Sequence, residues 1–140
     1  MLKNPEETIG NLIEKQSVSF ISSIDENGYP NTKAMLPPCK RYGIKTFYWH
    51  TNSPSMRIKQ YRENTKACVY FYDKRFFRGI MLKGTMEVLE DKRIKKEIWK
   101  DEYSQYYSGG MEGGDFIIIR FTANEGRYYS NFSSENFTIK

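Results

Sequence analysis

Long apolar runs are missing from this chain. None of its 140 residues belongs to a stretch of membrane-spanning length. The sequence opens Met1-Leu2-Lys3-Asn4-Pro5-Glu6-Glu7, with no apolar signal core, so a cytoplasmic location without export is expected. Histidine is nearly absent, His50 being the only one, and the two cysteines, Cys39 and Cys68, are far apart. That scarcity excludes a disulfide framework and leaves too few ligands for a metal centre. No Gly-x-Ser-x-Gly elbow accompanies His50, which removes the usual serine hydrolase arrangement. The glycine-rich run from Gly109 to Gly114 lacks the Gly-Lys-Ser/Thr ending of a phosphate loop and reads as a flexible connection. Acidic residues are scattered, with no pair placed for acid–base work. With so little reactive machinery of its own, an enzyme built on this chain needs a cofactor.

Aromatic residues are plentiful: 11 Tyr, 9 Phe and 2 Trp. They suit half-buried pleated surfaces and flat ligands. The net charge of +5 favours an anionic ligand or partner. Lys74, Arg75, Phe76, Phe77 and Arg78 form a basic, aromatic loop that raises single-stranded nucleic acid as a partner. That reading is disfavoured, because the other aromatics are explained as core and this loop as a solvated edge.

The pattern predicts a helix over 4–15, capped by Asn4 with Glu7 completing a capping box, and with Ile9, Leu12 and Ile13 as its apolar stripe. Strands are expected over 17–24, with Val18, Phe20 and Ile24 on one side, and over 29–36 after the turn Asp25-Glu26-Asn27-Gly28. Further strands are expected over 44–51, 66–72 and 79–89, the last bending at Gly84. Asp91 caps a helix reaching about Tyr103, and Tyr103, Tyr106 and Tyr107 then fall in a mobile polar loop. Phe116-Ile117-Ile118-Ile119 reads as buried on both faces of a strand over 115–122. A turn at 123–126 leads into a final strand over 127–132. Residues 1–132 are expected to form one domain, followed by a loose polar tail over 133–140. Strands do not alternate with helices, so the fold class is mostly β with peripheral helices: an antiparallel barrel.

One corner carries a chemical signal. Tyr48-Trp49-His50-Thr51 ends a strand, Ser53 can cap, and Pro54 can open a helix running to Glu63. First-turn N–H groups, the helix dipole and the side chains of Thr51, Ser55 and Arg57 can converge on one anion, with a phosphate the obvious guest.

The stretch from Trp49 to Ile58, continuing through Arg62-Glu63-Asn64-Thr65-Lys66-Ala67, resembles the FMN-binding split-barrel proteins related to pyridoxamine 5′-phosphate oxidase. The resemblance runs almost end to end, through Gly84-Thr85-Met86-Glu87-Val88, Glu97-Ile98-Trp99 and Gly113 to Phe121, followed by Tyr128-Tyr129. It is nearest to the general stress protein 26-like branch. It implies an antiparallel split β-barrel and a homodimer with FMN at the subunit interface. It also implies an oxidoreductase drawing on NADH or NADPH to reduce a small molecule, or else a flavin-binding stress-response protein without turnover. Thr51, Ser55 and Arg57 would hold the FMN phosphate, with Lys33 reaching it from the second strand. Ala34, Met35 and Leu36 would meet the isoalloxazine through their backbone. His50 would lie near the ring, and Asn52 and Met56 would complete the set. Trp99 and Tyr129 are lesser candidates. Arg57 stands where the family has Lys, Lys33 where it has Arg, and Gly79 where the oxidases carry a flavin-contacting Gln. The C-terminal arginine segment used for pyridoxamine phosphate is lacking, so oxidation of that vitamer is not expected.

Overall fold

The computed structural model describes residues 2–140. Three helices surround a mostly antiparallel sheet of eight strands. Helix α1 (Pro5–Glu14) leads into β1 (Ser19–Ile24) and β2 (Pro30–Met35). Next come the short β3 (Lys40–Tyr42), β4 (Thr46–Asn52), α2 (Met56–Glu63), β5 (Lys66–Asp73) and β6 (Arg78–Leu89). Helix α3 (Lys92–Ile98), a 3-10 turn over Asp101–Gln105, β7 (Phe116–Ser130) and β8 (Ser133–Thr138) complete the order. No helix among the described residues is long and apolar enough to cross a membrane.

The strand order is β2-β1-β5-β6-β7-β4-β3, with β8 on β7, and every pairing is antiparallel. This path is open. No ladder joins β2 to β3, so the hydrogen-bonded closure of a barrel, expected above, is not part of the sheet. Strand β7 is the spine. The two strands expected over 115–132 are one element, because the segment read as a turn stays extended and pairs with β6 on both sides of Asn124, the residue left out at the register shift. Its first half also pairs with β4 and its second half with β8. Here the polar tail departs from expectation: β8 lays Phe137 across Gly126, where a Cβ would approach the ring to 2.5 Å. The register shifts between Lys83 and Gly84, the bend that the sequence marks. A Cβ at Gly84 would lie 1.9 Å from the Thr122 carbonyl oxygen, so this crossing admits glycine alone.

Two apolar layers hold the sheet. The larger places Ile9, Leu12 and Ile13 of α1 and Ile58 and Tyr61 of α2 against Ile21, Phe47, Trp49, Val69, Phe71 and Leu82. The smaller lies on the opposite face of β4 and β7, where Tyr48, Phe116 and Ile118 meet Ile98, Tyr103 and Tyr107. The Phe116–Ile119 run is therefore buried from both sides, as its unbroken hydrophobicity predicts.

Several local expectations are corrected. Asn4 takes a left-handed backbone (φ 47°) and accepts no first-turn N–H through its side chain; its amide instead donates to Glu7 Oε2 at 2.8 Å. The inward face of β1 is Ser19, Ile21 and Ser23, not Val18, Phe20 and Ile24. Hydrophobicity misleads there because both serines are spoken for: Ser19 Oγ donates to the Leu36 carbonyl (2.9 Å) and accepts from Trp49 Nε1 (3.1 Å), and Ser23 Oγ bonds Gln60. Helix α3 is capped by Asp91 accepting from Arg93 N–H (2.8 Å), as expected, but stops at Ile98.

Candidate functional site

The gap in the sheet is where the site forms. Strand β3 pairs with β4 only at Thr46, Phe47 and Tyr48, so the edge of β4 from Trp49 to Asn52 is free on that side. The end of β2 faces this edge. Trp49 Nε1 spans the gap, donating to the Leu36 carbonyl at 3.2 Å as well as to Ser19. A cavity of about 400 Å³ opens here, within the usual size range of small-molecule sites. Ala34, Met35 and Leu36 line one side, and His50, Thr51, Asn52 and Arg57 the other. A free strand edge explains how His50 and Thr51, which point to opposite faces of β4, both reach one groove.

At the polar end, the turn after β4 delivers α2. Its N-cap is Ser55, not Ser53, and Pro54 precedes the helix instead of opening it. The Ser53 N–H is drawn to the Asp115 carbonyl (2.9 Å) and the Ser55 N–H to the Asn52 carbonyl (3.2 Å), which delays the helix by two residues. Arg57 then points back along β4 and donates from Nη2 to Thr51 Oγ1 at 3.0 Å. The guanidinium is half-buried, and among the described residues no carboxylate pairs with it. Desolvation pushes its pKa down, partly countered by Tyr61. Arg57 Nε and Ser55 Oγ are both buried without a hydrogen-bond partner. Orphaned polar atoms of this kind are costly, and here they surround the start of a helix. A serine hydroxyl, an unpaired guanidinium and first-turn N–H groups fit a bound anion.

At the other end, His50 Nδ1 shares a 2.8 Å hydrogen bond with the Tyr107 hydroxyl, and its ring lies 4.2 Å from that of Tyr103. Burial, aided by the Lys100 charge, lowers the His50 pKa, so the imidazole is neutral at pH 7. Burial likewise raises the Tyr107 pKa, keeping the phenol protonated. The segment expected as a mobile polar loop therefore folds back as a strap. Tyr103 and Tyr107 are buried on Phe116, while Tyr106 stays 56% exposed, and Tyr106 and Tyr107 line the groove. The tyrosines at 103, 106 and 107 have the i, i+3, i+4 spacing of one face of a turn, a signal that could have marked them.

The remaining sequence candidates fall outside the groove lining. Lys33 is exposed and pairs with Ile21, on the same face of β2 as Met35. Ser55 is the N-cap of α2 with its hydroxyl buried, and Met56, the first residue of that helix, is 69% exposed. Trp99 packs edge-on against Phe116 (4.9 Å), and Tyr129 lies edge-on to Phe77 (6.0 Å). Pro37, unremarked in the sequence beyond ending a strand, lines the groove.

The family model for pyridoxamine 5′-phosphate oxidase matches residues 5–130. The crystal structure of a protein related to general stress protein 26, of the pyridoxinephosphate oxidase family, from Clostridium acetobutylicum is 35% identical. It superposes with a TM-score of 0.88 over 99% of this chain and 97% of that one. A pyridoxamine 5′-phosphate oxidase-related, FMN binding protein from Nostoc punctiforme shares the fold at 10% identity (TM-score 0.72, 100% of this chain and 99% of that one). The pyridoxine/pyridoxamine 5′-phosphate oxidase of Agrobacterium fabrum is 24% identical over 123 residues, 86% of this chain. This chain spans about half of that enzyme's length, 54%. The chain belongs to the pyridoxamine 5′-phosphate oxidase family.

Proposed function

We propose that this protein binds FMN in the groove between β2 and β4 and works as an FMN-dependent oxidoreductase on a small molecule. The observation that carries the reading is the corner at α2, where Arg57 is half-buried without a counter-ion beside the unpartnered Ser55 hydroxyl. A phosphate there would satisfy both, with Thr51 orienting the guanidinium. Lys33 adds a second positive charge from β2. The apolar side of the groove, at Met35, Leu36 and Trp49, is suited to a flat ring that excludes water. The Nostoc relative, described as FMN binding, supports the same ligand. On this reading the open gap is the slit of a split barrel.

When bound, FMN supplies the redox chemistry, accepting and releasing electrons that this chain cannot itself carry. The residues do the rest. Arg57, Ser55 and Thr51 anchor the phosphate, the backbone at Ala34, Met35 and Leu36 orients the ring, and Trp49 closes the floor. NADH or NADPH serves as electron donor. Leu36 in the groove lining is 60% exposed and Met56 at the start of α2 is 69% exposed, which supports a homodimer with the second copy covering the open side.

A second reading is a flavin-binding stress-response protein without turnover. It is favoured by the groove's lining, which holds no carboxylate to move a proton. Titration with FMN and with riboflavin tests the shared core of both readings. FMN should bind at least about tenfold more tightly, because only it carries the anion. Equal affinities would sink the assignment. Anaerobic bleaching of bound FMN by NADH or NADPH then separates oxidoreductase from carrier.

A further inference from the structure

The strap formed by Tyr103, Tyr106 and Tyr107 has no part in holding a phosphate, yet it walls the groove. Its placement is costly to explain as scaffolding alone. Tyr107 reaches 57 positions back to His50, and Tyr106 keeps an exposed aromatic ring in the groove lining while the smaller core is built from Tyr103 and Tyr107 without it. The ring centroids of His50 and Tyr106 are 6.3 Å apart, with 29° between the ring planes. His50 makes its hydrogen bond through Nδ1, so Nε2 is left to point a donor or acceptor elsewhere. Aromatic faces with one polar pair at their edge suit a flat guest that carries a polar atom on its rim.

We propose that this strap is a substrate-selecting wall: Tyr106 stacks on a planar aromatic substrate, and the His50–Tyr107 pair hydrogen-bonds an oxygen at that substrate's edge. The class is a planar aromatic compound with a hydrogen-bonding oxygen on its rim, for which an aromatic aldehyde is the probe. Tyr107 is a positioning residue, fixing the imidazole through its hydroxyl. The inference rests on the reading of the groove as a flavin site, because the substrate would occupy what the cofactor leaves open.

The test is saturation-transfer NMR on the full chain with and without FMN, using 4-hydroxybenzaldehyde, toluene and cyclohexanone as probes. The aromatic aldehyde should bind at least about tenfold more tightly than cyclohexanone, which has the carbonyl without the flat ring. Tyr106→Leu should abolish that preference. Tyr107→Phe keeps the ring and should weaken the aldehyde about fivefold while leaving toluene unchanged. A purely structural hydroxyl would weaken both alike or neither. Aldehyde and cyclohexanone binding equally, or unaltered probe preference in both variants, would overturn the proposal. FMN uptake is scored separately by its visible absorbance. Loss of uptake alone counts against the flavin reading, while the probe preferences measured without FMN still decide the strap.

Discussion

Arg57 shows how a single residue can serve binding at the expense of folding. A guanidinium taken half out of water without a carboxylate is a net cost until an anion arrives. Arg57→Met should therefore raise the melting temperature of the ligand-free protein by about 3 °C, checked by calorimetry. The same variant should bind FMN about 30-fold more weakly, checked by fluorescence titration. Lys59→Ala, on the exposed side of the same helix, should alter neither. His50 adds a pH dependence. Its pKa is lowered in the folded state, so the unfolded chain takes up a proton first as pH falls below about 6.5. Stability is whole above that value and is lost as pH drops toward the folded pKa. Urea midpoints measured between pH 7.5 and 5.5 should decline in the parent and decline less in His50→Gln.

Elements are where sequence signals were strongest and also where their ends slipped, at the start of α2 and, further, at the end of α3. Helix α3 with its Asp91 cap and the Asn27-Gly28 turn with Gly28 at φ 84° were readable because each is fixed by contacts within a few residues, whereas the irregularity at Gly84 was readable from the glycine itself although Thr122 of β7 is what demands it. The close crossing of β6 over β7 makes Gly84→Ala a sharp test. The added Cβ should cost about 3 kcal/mol in urea unfolding, since backbone and not a flexible side chain stands in its way. The start of α2 was misplaced by two residues because the carbonyl of Asp115, far along the chain in sequence, takes the Ser53 N–H. The inward face of β1 was misread because Ser19 and Ser23 owe their burial to Trp49, Leu36 and Gln60, none of them neighbours in sequence.

For the whole molecule, the decisive feature is that the sheet stops short of closing. Strand β3 is three residues long, and β4 runs four residues beyond it. A free edge of hydrogen-bonding groups is a liability unless something covers it. Here the strap covers part of it, and the proposed ligand and second copy would cover the rest. The protein should accordingly sediment at twice its 16.6 kDa monomer mass, and the dimer should tighten when FMN is added. A monomer at micromolar concentration with FMN bound would overturn the proposed shared interface.

Sequence alone determined the strand-rich class and the family pattern, and it marked the strand-to-helix corner of Thr51, Ser55 and Arg57 as the place for the proposed anion. All three are written in short-range order: propensity, turn residues and a strand running into a helix. Tertiary structure alone decided that β4 would keep an open edge, that β2 would face it, and that three tyrosines from a polar loop would close over His50. Those outcomes depend on which distant groups satisfy one another's hydrogen bonds and fill one another's space, and no local window of the chain contains that information.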